Sequence, residues 1–433
     1  MRTRVKGKIS VAFITLGCSK NLVDSEKIMA RLPQNRFKIL GQEWGAADIL
    51  VINTCGFIKD AKEESIETIL QAVNSQKEGR IKEVVVTGCL SQRYKSELSA
   101  EIPEVDAWFG ARGPEDLLAH LNGALPDNEA RRIITTPSHY AYLKIAEGCD
   151  RTCSFCAIPL IRGGYRSIPP EDLVKEAKML SDGGVRELIL IAQDLSYYGI
   201  DIYGKPGLER LLPELSSIEG IDWIRLHYAY PHNFPDSLIS MIADNEKICN
   251  YLDIPLQHIS DNILRSMRRG HDRAGTYRFL RRLREGVPGI ALRTTLMVGY
   301  PGETEREFMQ LLDFVREFRF ERLGVFTYSP EEGTRAFALG DTVAEKVKKE
   351  RATRLMQLQS EISLEINTSR IGDRIKVLID SENDQYLVGR TEFDSPEVDN
   401  EVHIEKAPGL SPGQFLLSEI TGASEFDLYA RPV

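Results

Sequence analysis

Three cysteines lie close together in the middle of the chain, at Cys149, Cys153 and Cys156. Their C-x3-C-x2-C spacing is unusual for zinc, whose sites pair cysteines as C-x2-4-C and take a second pair of ligands from further along the chain. A redox C-x-x-C formed by Cys153 and Cys156 would leave Cys149 without a role. Three thiolates on a short loop can instead hold three corners of a cubic iron–sulfur cluster. The fourth iron would then be open to a substrate or a cofactor.

This motif resembles that of the radical S-adenosylmethionine enzymes. The resemblance implies that S-adenosylmethionine binds the open iron through its amino and carboxylate groups. It also implies that one electron cleaves the sulfonium and gives a 5'-deoxyadenosyl radical, which abstracts hydrogen from an unactivated carbon. A loose zinc knuckle or three unconnected thiols are the competing interpretations.

The N-terminal third alternates apolar runs with helical patterns. We expect strands at 11–16, 47–52 and 83–87, with helices at 24–31 and 61–73. This order predicts a parallel sheet covered by helices. Cys18, Cys55 and Cys89 each follow one of these strands beside a glycine, and the carboxyl ends of parallel strands meet at one edge of a sheet. We therefore predict that these three thiols meet and hold a second cluster with one open iron, although any one of them alone would be interpreted as a small buried residue.

The alternation continues through the central part of the chain. Candidate strands lie at 140–145, 187–192, 223–227, 251–254, 292–298 and 323–326, and helical patterns lie between them at 171–180, 236–243, 276–284 and 305–318. Six successive strand–helix units predict a partial parallel barrel, a (β/α)6 arrangement, with its active site at the carboxyl ends of the strands. The cysteine loop directly follows the first of these strands, as such a placement requires.

The C-terminal part has a different pattern. A stretch without glycine or proline, 342–367, predicts one long connecting helix. Short alternating runs at 374–379, 386–390 and 401–404 then predict a small all-β barrel. With 126–137 as a linker, the predicted α/β organisation is an open parallel N-terminal domain (7–125), a central barrel (135–366) and a C-terminal β-barrel (368–433).

The charge of the chain is unevenly distributed. The net charge is −9, and residues 370–433 hold 13 Asp and Glu against 6 Lys and Arg, whereas residues 1–134 are nearly balanced. An acidic C-terminal segment is a poor match for a phosphate backbone and a good match for a basic protein, although an ordinary solvated surface would look the same. Neither a signal peptide nor a membrane span is predicted, and seven cysteines in such a chain favour metal binding in a reducing cytoplasm.

The whole chain resembles the radical S-adenosylmethionine methylthiotransferases. In that family, two triplets of cysteines are followed by a small C-terminal barrel, the TRAM domain. The resemblance implies two 4Fe–4S clusters, one on Cys149, Cys153 and Cys156 and an auxiliary one on the N-terminal domain that holds the sulfur or methylthio group. It also implies that one S-adenosylmethionine supplies the methyl group and a second supplies the radical.

Three local sequences resemble the branch of this family that modifies an aspartate of small-subunit ribosomal protein number twelve (uS12): 16–26, 156–163 and 253–258. Residues 167–168 depart from it, since a further arginine is common there. The implied substrate is the β-carbon of that aspartate, in a basic protein that is free or on the ribosomal subunit. An electron donor is the further partner, and neither nucleic acid as primary substrate nor a membrane is expected. The alternatives are a transfer-RNA adenosine methylthiotransferase and a non-catalytic, metal-containing RNA- or ribosome-binding protein.

Further candidates lie near strand ends. Gln193 and Asp194 close the second central strand, where related enzymes place groups near the methionine moiety. Glu303 follows the fifth strand, although an acidic residue at a helix start is favoured by the helix dipole alone. Arg162 and Arg166 could bind a carboxylate of the cofactor or substrate through paired hydrogen bonds, with a surface salt bridge as the alternative.

The remaining polar candidates have weaker support. Lys20 could also bind an anion near the auxiliary cluster, but a lone lysine is usually solvated. His227, His232 and His258 lack a ligand-like spacing, which favours packing or hydrogen bonding over metal binding. Cys249 stands apart from both triplets, and we expect a buried, unreactive thiol.

Overall fold

A computed structural model describes residues 7–41, 44–121 and 132–433. The chain divides into two compact units. The first holds the residues up to Thr135 together with Glu147–Asp150 and Ala157–Tyr165, and the second holds Thr136–Ala146, Arg151–Cys156 and Arg166–Val433. Residues 126–131 of the expected linker lie outside the described residues.

The first unit is built on a five-stranded parallel sheet with the strand order β2-β1-β3-β4-β5. Its strands are β1 (Ile9–Thr15), β2 (Phe37–Ile39), β3 (Ala47–Thr54), β4 (Ile81–Gly88) and β5 (Ala107–Trp108). Its helices are α1 (Ser19–Ala30), α2 (Lys59–Lys77), α3 (Cys89–Glu101), α4 (Glu115–His120) and α5 (Ile158–Arg162). The three strands expected from the sequence are β1, β3 and β4, which are neighbours in the sheet.

The sheet of the first unit is covered on both faces. Leu50 and Ile52 of β3 pack with Ile69 of α2 on one face, while Val51 packs with Ile28 of α1 on the other. A strand that is buried on both faces needs apolar side chains at every position. This is why residues 49–52 of β3 form a continuous apolar run in the sequence.

The second unit contains a six-stranded parallel sheet with the order β13-β12-β11-β10-β9-β6. Its strands are β6 (Tyr140–Lys144), β9 (Glu187–Ile191), β10 (Trp223–Leu226), β11 (Ile248–Gln257), β12 (Ala291–Val298) and β13 (Arg322–Thr327), and two short strands, β7 (Ala146–Glu147) and β8 (Arg166–Ser167), follow β6 in the chain. The strands neighbour one another in chain order, as the predicted partial barrel requires. That prediction is confirmed.

Helices connect these strands. They are α6 (Pro170–Asp182), α7 (Ile200–Tyr203), α8 (Leu208–Ser216), α9 (Asp236–Asp244), α10 (Asp261–Ser266), α11 (Arg273–Gly286), α12 (Glu305–Phe318) and the long α13 (Glu345–Ser369), with 3-10 turns at Leu195–Tyr197 and Ala336–Leu339. The clearest boundary is the start of α12, where Thr304 and Glu307 form a reciprocal capping box. No helix of the described part of the chain is long and apolar enough to cross a membrane.

The C-terminal residues form a closed barrel with the strand order β14-β15-β16-β18-β17. Its strands are β14 (Arg374–Glu382), β15 (Tyr386–Thr391), β16 (Glu401–Glu405), β17 (Phe415–Ala423) and β18 (Asp427–Pro432). Val377, Ile404 and Leu428 are among the side chains that fill its interior. The small all-β barrel expected from the sequence is confirmed, and β17 and β18 are two strands that the alternating pattern did not indicate.

The segment between β15 and β16, residues 392–400, packs against the strands of the six-stranded sheet, and we call it the joint segment. Arg225 of β10 donates to the carbonyl of Glu392 at 2.7 Å, and the hydroxyl of Tyr251 on β11 donates to Asp399 at 2.7 Å. Arg322 of β13 pairs with the buried Asp394. The barrel is therefore attached to the core sheet through buried polar contacts.

Candidate metal centres

The first candidate centre lies at the carboxyl edge of the sheet in the first unit. Cys18 follows β1, Cys55 follows β3 and Cys89 follows β4. The pKa of the Cys55 thiol is raised to about 11, first by burial and then by the nearby thiols of Cys89 and Cys18. The pKa of Cys89 is also raised, mainly by burial. The three thiols thus influence one another's ionisation.

Glycines beside these cysteines let the three loops approach one another. A Cβ on Gly17 would lie 2.8 Å from the sulfur of Cys55, and a Cβ on Gly56 would lie 2.6 Å from the backbone of Leu90. Gly88 has a φ of +99°, and a Cβ there would lie 2.5 Å from the carbonyl of Thr54. Any larger residue would push the thiols apart, so the glycines are required by loop packing.

Asn21 joins these loops and was not indicated by the sequence pattern. Its side-chain nitrogen donates to the carbonyl of Leu16 at 2.8 Å and to that of Thr54 at 3.1 Å, linking the loops after β1 and β3. The thiol of Cys89 donates to its oxygen at 3.5 Å. A single amide therefore contacts all three strand ends.

Arg162 lies at the same edge and is buried. It forms ion pairs with Asp24 at 2.6 Å and with Glu147 at 3.1 Å, and it also donates to Asn21. Its Nη2 lies 3.6 Å from the sulfur of Cys89. Burial alone would lower its pKa, but Asp24, Cys89 and Glu147 together outweigh that effect and the pKa is raised. The guanidinium thus pairs with carboxylates of this chain, in a buried network rather than the surface salt bridge expected as the alternative.

The cysteine loop is held at both ends by backbone contacts. In the first unit, Cys149 donates its N–H to the carbonyl of Gly163 at 3.1 Å, and Asp150 accepts from the N–H of Tyr165 at 2.9 Å. Gly148 has a φ of +75°, and a Cβ there would lie 2.1 Å from the carbonyl of Gly164. This close approach explains why a glycine precedes Cys149.

In the second unit, Ser154 fixes the part of the loop that carries Cys153 and Cys156. Its N–H donates to the carbonyl of Met267 at 3.0 Å and its hydroxyl to that of Ser266 at 2.8 Å. The N–H of Cys156 donates to the carbonyl of Cys153 at 3.2 Å, which makes a tight turn. The two sulfur-bearing residues are thereby held on a rigid turn after β6.

Arg269 is a charged residue that contacts this turn. It is 4% exposed, and its Nη1 donates to the sulfur of Cys153 at 3.3 Å. Its guanidinium lies 4.4 Å from the ring centre of Tyr230 and also donates to the carbonyl of Pro255. Sequence analysis missed this residue, because nothing in its local pattern sets it apart from other arginines.

Asp194, predicted to bind a cofactor, holds Arg151 of the cysteine loop. The carboxylate is buried and accepts from Arg151 Nε at 2.8 Å and from Ser196 at 2.6 Å. The guanidinium of Arg151 lies 4.2 Å from the ring centre of Tyr230. Gln193, the residue before Asp194, lies at the carboxyl end of β9 and is half-buried. Both residues therefore lie at the edge where a ligand of the partial barrel would bind.

Glu303, also predicted to bind a cofactor, is buried in a turn. Its carboxylate accepts from the N–H of Gly299 at 2.7 Å and pairs with Arg351 of α13 at 2.9 Å. This ion pair ties the turn after β12 to the long helix. Arg166, the fourth predicted residue of this kind, is exposed.

The remaining candidates are three histidines, one lysine and one cysteine. His227 bonds to Ser395 at 2.9 Å and His258 accepts from the N–H of Ser260 at 3.0 Å, so both make hydrogen bonds of the expected kind. Lys20 is 8% exposed rather than solvated, and His232 lines a pocket beside α11. Cys249 is buried in an apolar cluster, and burial raises its pKa to about 12.

Comparison with known proteins gives three family matches. Residues 10–110 match the Uncharacterized protein family UPF0004, residues 143–315 the Radical SAM superfamily, and residues 371–433 the TRAM domain. A ribosomal protein uS12 methylthiotransferase RimO of Christiangramia forsetii is 52% identical over 100% of this chain and 96% of its own length. One of the same name from Porphyromonas gingivalis is 53% identical over 98% of this chain and 99% of its own.

The chain belongs to the ribosomal protein uS12 methylthiotransferase family. Among solved structures, the radical S-adenosylmethionine methyltransferase TsrM of Kitasatospora setae is similar, with a TM-score of 0.53 and 13% identity over 75% of this chain and 77% of that one. This likeness supports the fold. Membership of the uS12 methylthiotransferase family accounts for the two cysteine triplets and the C-terminal barrel together.

Proposed function

We propose that the protein is a radical S-adenosylmethionine methylthiotransferase that adds a methylthio group to the β-carbon of an aspartate in ribosomal protein uS12. The observation that carries the proposal is the gathering of Cys18, Cys55 and Cys89 at one sheet edge, in a chain that also has the C-x3-C-x2-C loop. A radical enzyme that only abstracts hydrogen needs one set of three cysteines. A second set is the additional part that insertion of sulfur requires.

The residues of the first unit fit an iron–sulfur cluster. The thiolate, not the thiol, binds metal, and burial together with mutual repulsion keeps Cys55 and Cys89 protonated when no metal is bound. A cationic metal reverses that balance, and its binding releases the protons. A set of three thiols, of which Cys55 and Cys89 are buried and Cys18 is exposed, also suits a cluster with one open iron better than tetrahedral zinc. We assign one 4Fe–4S cluster to this set and a second to Cys149, Cys153 and Cys156.

When bound, these clusters supply the electron that cleaves S-adenosylmethionine and a site for the transferred sulfur. The protein's own residues position the groups. Asp194 fixes Arg151 over Tyr230, and Arg162 and Asn21 fix the loops that carry Cys18, Cys55 and Cys89. The carbon beside an aspartate carboxylate is too weakly acidic for base catalysis at neutral pH, so a radical must take its hydrogen.

The acidic C-terminal barrel supports a protein substrate. Residues 370–433 carry 13 acidic against 6 basic side chains, and like-charge repulsion from phosphates would weaken binding of RNA by this barrel. A ribosomal protein is basic and complements it. We infer that uS12 is bound either free or on the ribosomal subunit, that a separate protein donates electrons, and that the enzyme acts in the cytoplasm, where ribosomes assemble.

The test uses anaerobically reconstituted enzyme with S-adenosylmethionine, a reductant and sulfide. uS12 and unmodified transfer RNA are offered in separate reactions, and both are measured by mass spectrometry. We expect a methylthio mass gain on one aspartate of uS12. Cys156→Ala should abolish the gain, whereas Cys249→Ala, which changes a buried cysteine outside both sets, should retain it. A gain on the RNA alone would overturn the substrate, and no S-adenosylmethionine cleavage by iron-loaded enzyme would overturn the catalytic proposal.

A further inference from the structure

Arg269 is a buried cation beside the sulfur of Cys153. No Asp or Glu of the described residues forms an ion pair with it, although most other buried arginines of the second unit are paired in this way, such as Arg322 with Asp394. Besides Tyr230, the groups that interact with its charge are the thiols of Cys153 and Cys156. A buried guanidinium without a counter-charge is costly, so its anion must come from these sulfur atoms.

The position of Arg269 is fixed by groups other than the sulfur. One nitrogen donates to the carbonyl of Pro255, at the end of the core strand β11, and the guanidinium plane lies 4.4 Å from the ring centre of Tyr230. The hydroxyl of Tyr230 in turn donates to the carbonyl of Arg269 itself. The guanidinium is thus held before any ligand binds, with its Nη1 directed at Cys153.

We propose that Arg269 sets the reduction potential of the cluster held by Cys149, Cys153 and Cys156. The proposal rests on the proposed function, which places a cluster on these three residues. Reduction adds one negative charge to a group that is already anionic, and a fixed cation within hydrogen-bond distance of a ligand sulfur stabilises the reduced state more than the oxidised state. Arg269 therefore makes the cluster easier to reduce.

The alternative is that Arg269 only braces the loops that carry Tyr230 and Pro255. The two roles differ in their electrochemical consequence, because a brace leaves the reduction equilibrium of a correctly assembled cluster unchanged. A neutral side chain of similar length at position 269 distinguishes the electrostatic role from the bracing role. Arg268 is the matched control, since it is the adjacent arginine in the chain and is exposed.

The experiment is a redox titration followed by electron paramagnetic resonance on the full chain, without substrate. Cys18→Ala, Cys55→Ala and Cys89→Ala are combined as the background, so that about four irons per chain and a single cluster remain. In this background we expect Arg269→Met to lower the equilibrium constant of one-electron reduction about tenfold, which corresponds to about 59 mV. For Arg269→Lys, which retains the charge, the equilibrium constant should stay within about threefold of the background value. Arg268→Met should leave it unchanged.

Each result decides a separate question. An unchanged equilibrium constant in cluster-loaded Arg269→Met overturns the proposal and leaves the proposed function intact. Absence of iron from the background without an Arg269 substitution contradicts the proposed function instead. If Arg269→Met fails to retain iron, Arg269→Gln is titrated and should show the same decrease. Loss of iron from both neutral variants, with retention in Arg269→Lys, would assign Arg269 to cluster assembly and overturn the proposal.

Discussion

Glu187 accepts a hydrogen bond from Arg225 at 2.7 Å, and neither side chain is exposed to solvent. The same carboxylate pairs at 2.8 Å with Arg390 of the C-terminal barrel. Burial alone would raise the pKa of Glu187, but Arg390 and Arg225 outweigh that effect and the pKa is lowered. One carboxylate thus pairs with two buried guanidinium groups, one from the core sheet and one from the barrel, and Asp380 also pairs with the second.

Glu187→Gln should destabilise the protein strongly, because it leaves both guanidinium groups without their shared anion. Removal of one partner of a buried ion pair typically costs about 3–5 kcal/mol. The midpoint of denaturant unfolding measures the effect. Asp313→Asn is the control, since its ion pair with Arg316 is more than half exposed and such pairs contribute at most about 1 kcal/mol. Equal midpoints for the two variants would contradict this account.

Gly148→Ala should prevent iron binding at the cysteine loop. The added Cβ would lie 2.1 Å from a backbone oxygen, so Cys149 must move. With two clusters expected, the iron content should fall from about eight to about four per chain. Gly184→Ala is the control for backbone strain. Gly184 also has a positive φ, of +99°, but an added Cβ there would meet no neighbouring atom, so this variant has the strain without the steric clash. Full iron content is expected for that variant.

Arg162→Met should lower the iron content at the other site. The substitution removes the guanidinium that pairs with Asp24 and Glu147 beside Cys89, so less positive charge offsets the repulsion between these carboxylates and the thiolate. About four irons per chain should remain. Arg166→Met, at an exposed position of the same stretch, should keep both clusters. If Arg162 instead bound a substrate carboxylate, the Arg162→Met variant would have a normal iron content and only its KM would rise.

The stability contributed by Asp48 should depend on pH. The pKa of Asp48 is lowered to about 2 by hydrogen bonds from Lys82 and Ser10. A group with a lowered pKa stabilises the fold above its unfolded pKa of 3.8, and this contribution is lost as the pH falls through about 2. The difference in unfolding free energy between the wild type and Asp48→Asn should therefore shrink from pH 5 towards pH 2 (about the range of the shift). A constant difference would show that Asp48 acts through packing alone.

Much of the fold follows from local sequence patterns. The apolar runs at the centres of β3 and β4 are buried, and the parallel order of β1, β3 and β4 brings Cys18 and Cys55 to one edge. The cysteine spacings are also local patterns, and they indicate the iron–sulfur chemistry. These features depend on neighbours in the sequence, which is why they could be predicted.

Contacts between distant residues could not be predicted in this way. Arg269 and Cys153 are 116 positions apart, and the pairing of Arg322 with Asp394 joins residues 72 positions apart. Arg162 was expected to bind a ligand, but its charge is matched by Asp24, which no local pattern relates to it. Asn21 was overlooked because a polar residue near a helix start usually needs no further explanation.

The joint segment also limits how this enzyme can be engineered. A chimera in which the C-terminal barrel is replaced by that of a relative with another substrate would exchange Asp394 and Asp399 but keep Arg322 and Arg293 in the core. The buried Arg322 would then face foreign side chains, and Arg293 would keep Asp253 but lose its second carboxylate partner. A workable graft must therefore begin and end within the barrel strands and retain residues 392–400, so that only the solvent-facing surface changes.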